Sequence, residues 1–334
     1  MKSSSPYQNK TFRTIWLKHF RPKGNVLEQN CFSGVEFCKS KPAPLYINIG
    51  GTNTKGMPYG VNAESRTASL KNKVFLIYDV PGYVDSPSGL PNRFKLKKIP
   101  QYPGYLCDFG DATCLEDYLD RQISKRTRSK LRNYQNRLNR DHKVRYRMVW
   151  GDIPYEEYDA LFGKFHALLV KRFEDKQIVN NNLDPEEWQF YKEVTFPMLK
   201  TKEAGLFVTY FGDLPVAITL LNFSEKKVYD VIRVFDIAYS KYRIGSIGIL
   251  KQMEWCLANG FNVLDFSKGH YDYKKQWSNR EYIFQYHIWY DSGSPRCILL
   301  TMALALKFGL KYWARKYNIQ ESVHKLRYRL RPKA

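Results

Sequence analysis

DIAYSKYRIGSIGILKQMEWCLANGFNVLDFSKGHYDYKKQW, residues 236–277, is the stretch on which the fold turns. Its centre, IGSIGILKQMEWCLANGF (244–261), reads as a helix that stops where Asn259 and Gly260 supply a C-terminal cap. NVLDFS (262–267) follows as a short strand, and the segment to Trp277 as a loop at the strand end. A helix start leaves its first amide N–H groups unpaired and adds about half a positive charge, so a diphosphate can sit there if the backbone is uncrowded. Gly245, Ser246, Ile247 and Gly248 form that turn, and Lys241 and Arg243 add cations at its edge.

Upstream, AGLFVTYFG (204–212), LPVAITLLNFS (214–224) and KKVYDVIRVFDIAYS (226–240) are three strands joined by tight turns at Gly212–Asp213 and Glu225–Lys226, an antiparallel meander. Two helices precede it. PYEEYDALFGKFHALLVKRFEDK (154–176) has helical apolar periodicity with acidic residues in its first turn, and DPEEWQFYKEVTFPMLKTKE (184–203) opens on an Asp cap followed by Pro. VRYRMVWG (144–151) is a strand ahead of both, and YIFQYHIWYD (282–291) is the last strand.

Between 114 and 144, Ile123, Thr127, Leu131, Tyr134 and Leu138 recur at helical spacing while Arg and Lys fill the other faces. That pattern is one or two helices, either simply solvated or guiding an anionic substrate or a nucleic-acid backbone. The N-terminal third is β-containing and irregular, with strands at PLYINIGG (44–51), KVFLIYDVPGY (73–83) and FKLKKI. CILLTMALALKFGLKYWARKYN (297–318) is apolar and then basic, a packing helix or a membrane-surface helix. The expected division is 1–113, a connector 114–143, a main domain 144–296 and a C-terminal segment 297–334.

With 334 residues, 43% hydrophobic, the chain can bury ample core. No stretch reads as long enough and apolar enough to cross a bilayer, and the first residues lack the apolar block of a secretory signal, so a cytoplasmic protein is expected. The six cysteines are scattered without metal-ligand spacing and read as reduced thiols, with no metal expected. A net charge of +22 favours anionic partners: nucleic acid, an anionic lipid surface or a phosphate-bearing co-substrate.

The element order, with Asp236, Tyr242, Gly245, Gly260, Asp265, Phe266, Gly269, Tyr273, Lys274 and Trp277 in sequence, resembles the GNAT superfamily of acyl-CoA-dependent acyltransferases. More narrowly it resembles the CelD-like branch associated with bacterial cellulose and exopolysaccharide biosynthesis, and the FemABX transferases are near neighbours. The resemblance implies a mixed α/β fold with a mostly antiparallel mixed sheet, preceded by a region that is a candidate degenerate second copy. It implies acetyl-CoA or another acyl-CoA as co-substrate and transfer to an amine of a small molecule, sugar or cell-envelope precursor. An aminoacyl-tRNA-dependent transferase and a non-catalytic binding protein are the alternatives, and tRNA and an anionic membrane are further candidate partners. In the superfamily the residue three before Gly245 is Gln or Arg and the residue two after it is Gly or Ala; here they are Tyr242 and Ile247.

An amine must lose its proton before it attacks, and Asp236, Asp265 and His270 are the candidate acceptors. Arg243, Gly245, Ser246, Ile247 and Gly248 are the candidate co-substrate contacts. Lys268, Tyr273, Lys274 and Trp277 offer charges and flat aromatic faces for substrate, or else pack the fold. Arg233, inside an apolar strand, either pairs with a neighbouring aspartate or meets substrate.

Overall fold

The computed structural model describes residues 5–22, 26–27, 31–40, 44–53, 56, 58–62, 70–84, 89–269 and 271–317. Helix α1 (Lys10–Phe20) precedes five short strands, β1 (Val26–Leu27), β2 (Phe32–Ser33), β3 (Phe37–Ser40), β4 (Leu45–Asn48) and β5 (Gly60–Val61). Two long strands follow, β6 (Val74–Pro81) and β7 (Phe94–Asp108). The helices α2 (Leu115–Gln122) and α3 (Lys125–Asp141) lead to β8 (Val144–Val149), α4 (Tyr155–Lys176) and α5 (Pro185–Lys200). Then come β9 (Ala204–Phe211), β10 (Leu214–Phe223), β11 (Lys227–Phe235), α6 (Ile244–Ala258), β12 (Val263–Lys268), α7 (Asp272–Trp277), β13 (Arg280–Asp291) and α8 (Pro295–Lys316).

Local chemistry sets several of these boundaries. The Asp184 carboxylate accepts from the Glu186 and Glu187 amides while Pro185 occupies the first helical position, so α5 starts where the sequence places it. β9, β10 and β11 pair antiparallel in the expected meander. Three expectations need correction. The strand expected over 226–240 stops at Phe235, because the Asp236 carboxylate takes the Ala238 amide and starts a 3-10 turn, Ile237–Tyr242. The segment beyond Gly269 carries a short helix, α7, rather than loop alone. Finally, α8 is a 22-residue helix long and apolar enough, by length and composition, to cross a bilayer.

Among the described residues the main sheet has eleven strands in the order β1-β3-β4-β6-β13-β7-β12-β11-β10-β9-β8. Its pairing repeats outward from the central antiparallel pair β13/β7. On one side β7 pairs antiparallel with β12, β12 parallel with β11, and β11 antiparallel with β10. On the other, β13 pairs antiparallel with β6, β6 parallel with β4, and β4 antiparallel with β3. The strand at 94–108 thus sits beside β12, and β13 lies between β7 and β6, so the sheet is continuous across residue 113.

One face of the β8–β11 region is covered by α1, α4 and α5, whose Phe12, Trp16, Phe162, Phe165 and Phe190 pack with Leu206, Ile218 and Val234. The other is covered by α2, α3, α6 and α7 through Tyr118, Leu131, Ile249, Met253 and Trp277. The buried stripe of α3 is thus the one read from sequence, with Leu131 and Leu138 buried and Lys125, Arg126, Lys130, Arg132 and Arg140 exposed. All six cysteines are free thiols.

Candidate active site

β11 and β12 run parallel for three register pairs, the last being Tyr229 opposite Asp265, and then separate. Two irregularities open the gap. In β11 the register slips so that Leu220 faces Ile232 while Leu221 faces Asp230, leaving Val231 as a bulge without a cross-strand partner. In β12 Ser267 takes a left-handed φ of 59°, and the pairing with β7 slips between Asp265 and Lys268. The result is a wedge between two parallel strands, with the N-terminus of α6 reached from β11 through the 3-10 turn Ile237–Tyr242.

The bulge also places Asp230 and Arg233 on the same side of β11. Arg233 Nε and Nη2 donate to Asp230 Oδ2 at 2.9 and 2.6 Å, and Nη2 also reaches Gln252 Oε1 of α6 at 2.5 Å. Gln252 Nε2 in turn donates to Thr219 Oγ1 at 3.0 Å. The pair is nearly buried, with side-chain exposures of 12% and 6%. Of the two roles open to Arg233, the geometry shows the structural pairing, a strut that fixes α6 against the bulged strand.

Asp265 sits where the two strands part, 1% exposed. Its carboxylate accepts from Tyr282 OH at 2.8 and 2.9 Å, from Tyr83 OH at 3.1 Å and from the Ser267 amide at 2.7 Å. Burial pushes the carboxyl above its ordinary range, against the pull of those donors and of the Lys274 charge. Burial also raises Tyr83 and Tyr282, beside that carboxylate, and Tyr229 is pushed up to about 12. Gly104 makes room for this arrangement, since a Cβ there would lie 2.3 Å from the Tyr282 ring. A buried acid with a raised pKa at a strand opening is suited to accept a proton.

Asp236 is placed differently. Its Oδ1 takes the Ala238 amide at 3.1 Å and Lys171 Nζ at 2.8 Å. Burial pushes this carboxyl up, but the Lys171 bond, the amide and the neighbouring lysine charges outweigh it and hold the group below its ordinary value. It acts as a cap and ion-pair partner. His270 lies outside the described residues.

At the start of α6, the Ser246 and Ile247 amides both bond to Arg243 O, at 2.9 and 3.1 Å, so they are satisfied within the helix. The Ile244 and Gly245 amides have no hydrogen-bond acceptor among the described residues. Arg243 is exposed in a left-handed conformation, φ 55°. Gly245 is needed for packing, because a Cβ there would meet the Phe235 ring at 2.9 and 3.1 Å, whereas Gly248 faces open space. Against the same Phe235 ring lies the Arg172 guanidinium of α4, 4.4 Å from its centroid. Arg172 Nη1 is buried without a hydrogen-bond partner among the described residues, and burial lowers its pKa.

Of the remaining candidates, Lys268 Nζ bonds Asp79 Oδ2 at 2.5 Å and Thr52 O at 2.9 Å, joining the tip of β12 to β6. Lys274 is buried, donating to Lys268 O at 2.9 Å. Tyr273 packs on Phe266 beside the Asp230–Arg233 pair. Trp277 is fully buried in the core under α6.

Residues 125–275, from α3 to α7, match the family model described as an acetyltransferase (GNAT) domain. Over that stretch the chain is similar to the GNAT family, and its mixed α/β fold is GNAT-like. No curated protein matches the sequence. Among solved structures, the chain is similar to a conserved protein of unknown function from Bacteroides thetaiotaomicron VPI-5482, at 11% identity and a TM-score of 0.52, covering 86% of this chain and 92% of that one. It is similar to the C-terminal DUF2156 domain of a protein assigned as a lysylphosphatidylglycerol synthetase in Agrobacterium fabrum, at 9% identity and a TM-score of 0.53, over 90% and 91% of the two chains. FemX is similar at 12% identity and a TM-score of 0.50, over 76% and 83%. At these identities the likeness is one of fold.

Of the residues described at this opening, Asp265 is among the sequence candidates, whereas Tyr83, Tyr282 and Arg172 are not. Tyr83 follows a strand of the N-terminal region, and Tyr282 opens the last strand. Only the pairing of β6 with β13, β13 with β7 and β7 with β12 brings them to Asp265. Arg172 falls in the expected α4 helix among other charged residues, and nothing in the spacing separates it from them.

Proposed function

We propose that the chain is an N-acyltransferase that moves an acyl group, acetyl in the first instance, from acyl-CoA to an amine of a small molecule, sugar or cell-envelope precursor. The observation that carries this reading is the bulged wedge between β11 and β12 with the buried, proton-seeking Asp265 where the strands part. In that reading the thioester lies in the wedge and a backbone N–H of the bulged strand polarises its carbonyl oxygen. The amine nitrogen attacks the carbonyl carbon, the C–N bond forms and the C–S bond breaks. The amine's proton passes to Asp265, directly or through a water, and the CoA sulfur leaves as thiolate. The Ile244 and Gly245 amides and Arg243 would meet the diphosphate linker, and the unpartnered Arg172 a further anionic group. Lys268 and Lys274 hold the β12 end in place, and Tyr273 lines the wedge.

The region 1–113 is read as a second, degenerate copy of the same fold, joined through 114–143 to the catalytic domain 144–296 and followed by 297–334. Its mirrored pairing supports this, with a parallel β4/β6 pair and a left-handed Asp79, φ 53°, where β12 has Ser267. Trp16 fills the corresponding opening, its indole donating to Ile49 O at 3.1 Å and its ring occupying the space above Gly50. A CelD-like role in exopolysaccharide synthesis stays within this proposal.

A second reading, an aminoacyl-tRNA donor, draws on the exposed cations of α3 and the resemblance to FemABX transferases. The two are separated by incubating the chain with acetyl-CoA and a panel of amino sugars and diamines, and reading free thiol with a thiol reagent. Amine-dependent thiol release that Asp265→Asn abolishes is the expected result. Absence of thiol release together with steeply salt-sensitive capture of aminoacyl-tRNA would overturn the acyl-CoA reading in favour of the second.

A further inference from the structure

Of the large hydrophobic side chains exposed on the described surface, six lie on α8 or just after it: Leu299, Met302, Leu306, Leu310, Trp313 and Tyr317. They are 56–68% exposed. At about 100° per residue these six positions fall within about 40° of a single line along the helix. Directly opposite that line are Cys297, Thr301, Leu304 and Phe308, the residues buried against the sheet. Arg296, Lys307 and Lys316 are exposed and flank the stripe on both sides, and the sequence from 295 to 320 contains no Asp or Glu.

A helix of this length and composition could span a bilayer, but α8 is committed along one face. Gln101 Nε2 of β7 donates to Phe308 O at 3.3 Å, and the Arg315 guanidinium stacks 3.9 Å over the Tyr102 ring. A helix fixed lengthwise to a sheet presents its other face sideways, which is how an interfacial helix lies in the headgroup region. Trp313 and Tyr317, stacked 5.4 Å apart at the C-terminal end, are the side chains that suit that boundary.

We propose that α8 docks the protein on an anionic lipid surface, with the Leu299–Tyr317 stripe in the headgroup–acyl boundary and the flanking cations on lipid phosphates. Charge selects this occupant over a second copy of the chain. The protein carries +22, and residues 318–334 add five Lys and Arg against one Glu, so two such faces brought together would repel. The inference is independent of the reaction assigned to the wedge.

The test sediments the full chain with vesicles of phosphatidylcholine alone or mixed with phosphatidylglycerol, beside the double variant Leu306→Glu/Leu310→Glu. Both positions are exposed, so the variant keeps the parent's melting temperature. Binding to the anionic vesicles should fall by about tenfold or more in the variant, and the parent's tryptophan emission should shift blue on binding, a shift lost in Trp313→Phe. The proposal is overturned if the parent ignores anionic vesicles, or if the double variant binds them as well as the parent. It is equally overturned if light scattering finds a dimer that the variant dissolves while vesicles capture neither protein, which would assign the face to a second copy.

Discussion

Replacing Asp265 by Asn keeps the shape of the side chain and removes the proton acceptor, so it separates catalysis from folding. A general base contributes about 10²–10⁴-fold to rate, equivalent to about 2.7–5.4 kcal/mol of barrier, and Asn should lose most of that. Stability should move the other way. Burial holds the Asp265 proton to a higher pH in the folded chain than in the unfolded one. The contribution of that group to stability is therefore complete below the unfolded carboxyl value of about 3.9 and is lost as pH climbs through the folded value. Asn does not titrate and suffers no such loss, while its amide still accepts from Tyr83 or Tyr282. Paired urea unfolding of parent and variant at pH 4 and pH 8 reads the difference. The variant should gain on the parent as pH rises, while thiol release drops. A variant that loses ground to the parent between pH 4 and pH 8 would mean that the native site favours the ionised carboxylate. That result, or undiminished transfer, refutes Asp265 as the base.

Arg233→Ala leaves Asp230 buried without its cation and unlinks Gln252, and should cost about 3–5 kcal/mol in urea unfolding; a loss below about 1 kcal/mol with weakened donor binding would return Arg233 to a substrate role. His287, hydrogen-bonded to Tyr59 at 2.8 Å, is held at about 4 by burial and the Lys98 charge. A group held below its unfolded value stabilises the fold above that value and loses the contribution as pH falls. Unfolding free energy should thus drop by roughly 3 kcal/mol between pH 6.5 and 4 on this account, and His287→Gln should flatten that slope. Trp277→Ala should cost about 3–5 kcal/mol, read as a lowered urea midpoint, because its ring packs core.

Local signals in the sequence gave away the elements that arise locally. The Asp184–Pro185 helix start, the 204–235 meander and the Asn259–Gly260 stop each depend on neighbouring residues, and each is found in the structure. Asp265 was legible as an acid just inside a strand end. Its tyrosine shell was not, because Tyr83 and Tyr282 lie 182 and 17 residues away in sequence and only the pairing of β6, β13, β7 and β12 brings them together. The capping role of Asp236 was not legible, because a carboxylate at a strand end is equally suited to other work, and the turn it caps appears only in the structure. The membrane-length character of α8 departs from the sequence reading, and the helix places Arg296, Lys307 and Lys316 on the flanks of its apolar stripe.

The claim on which the account rests is that the opening between β11 and β12, with the Ile244 and Gly245 amides beside it, receives an acyl-CoA. Isothermal titration of acetyl-CoA into the full chain and into Gly245→Val tests it most directly, since the new side chain would collide with Phe235 at the start of α6, where the proposal puts the diphosphate. Saturable one-to-one binding to the parent, weakened at least about tenfold in the variant with the fold retained, is the predicted result. Heat indistinguishable from dilution in the parent, or equal affinity in the two proteins, contradicts it.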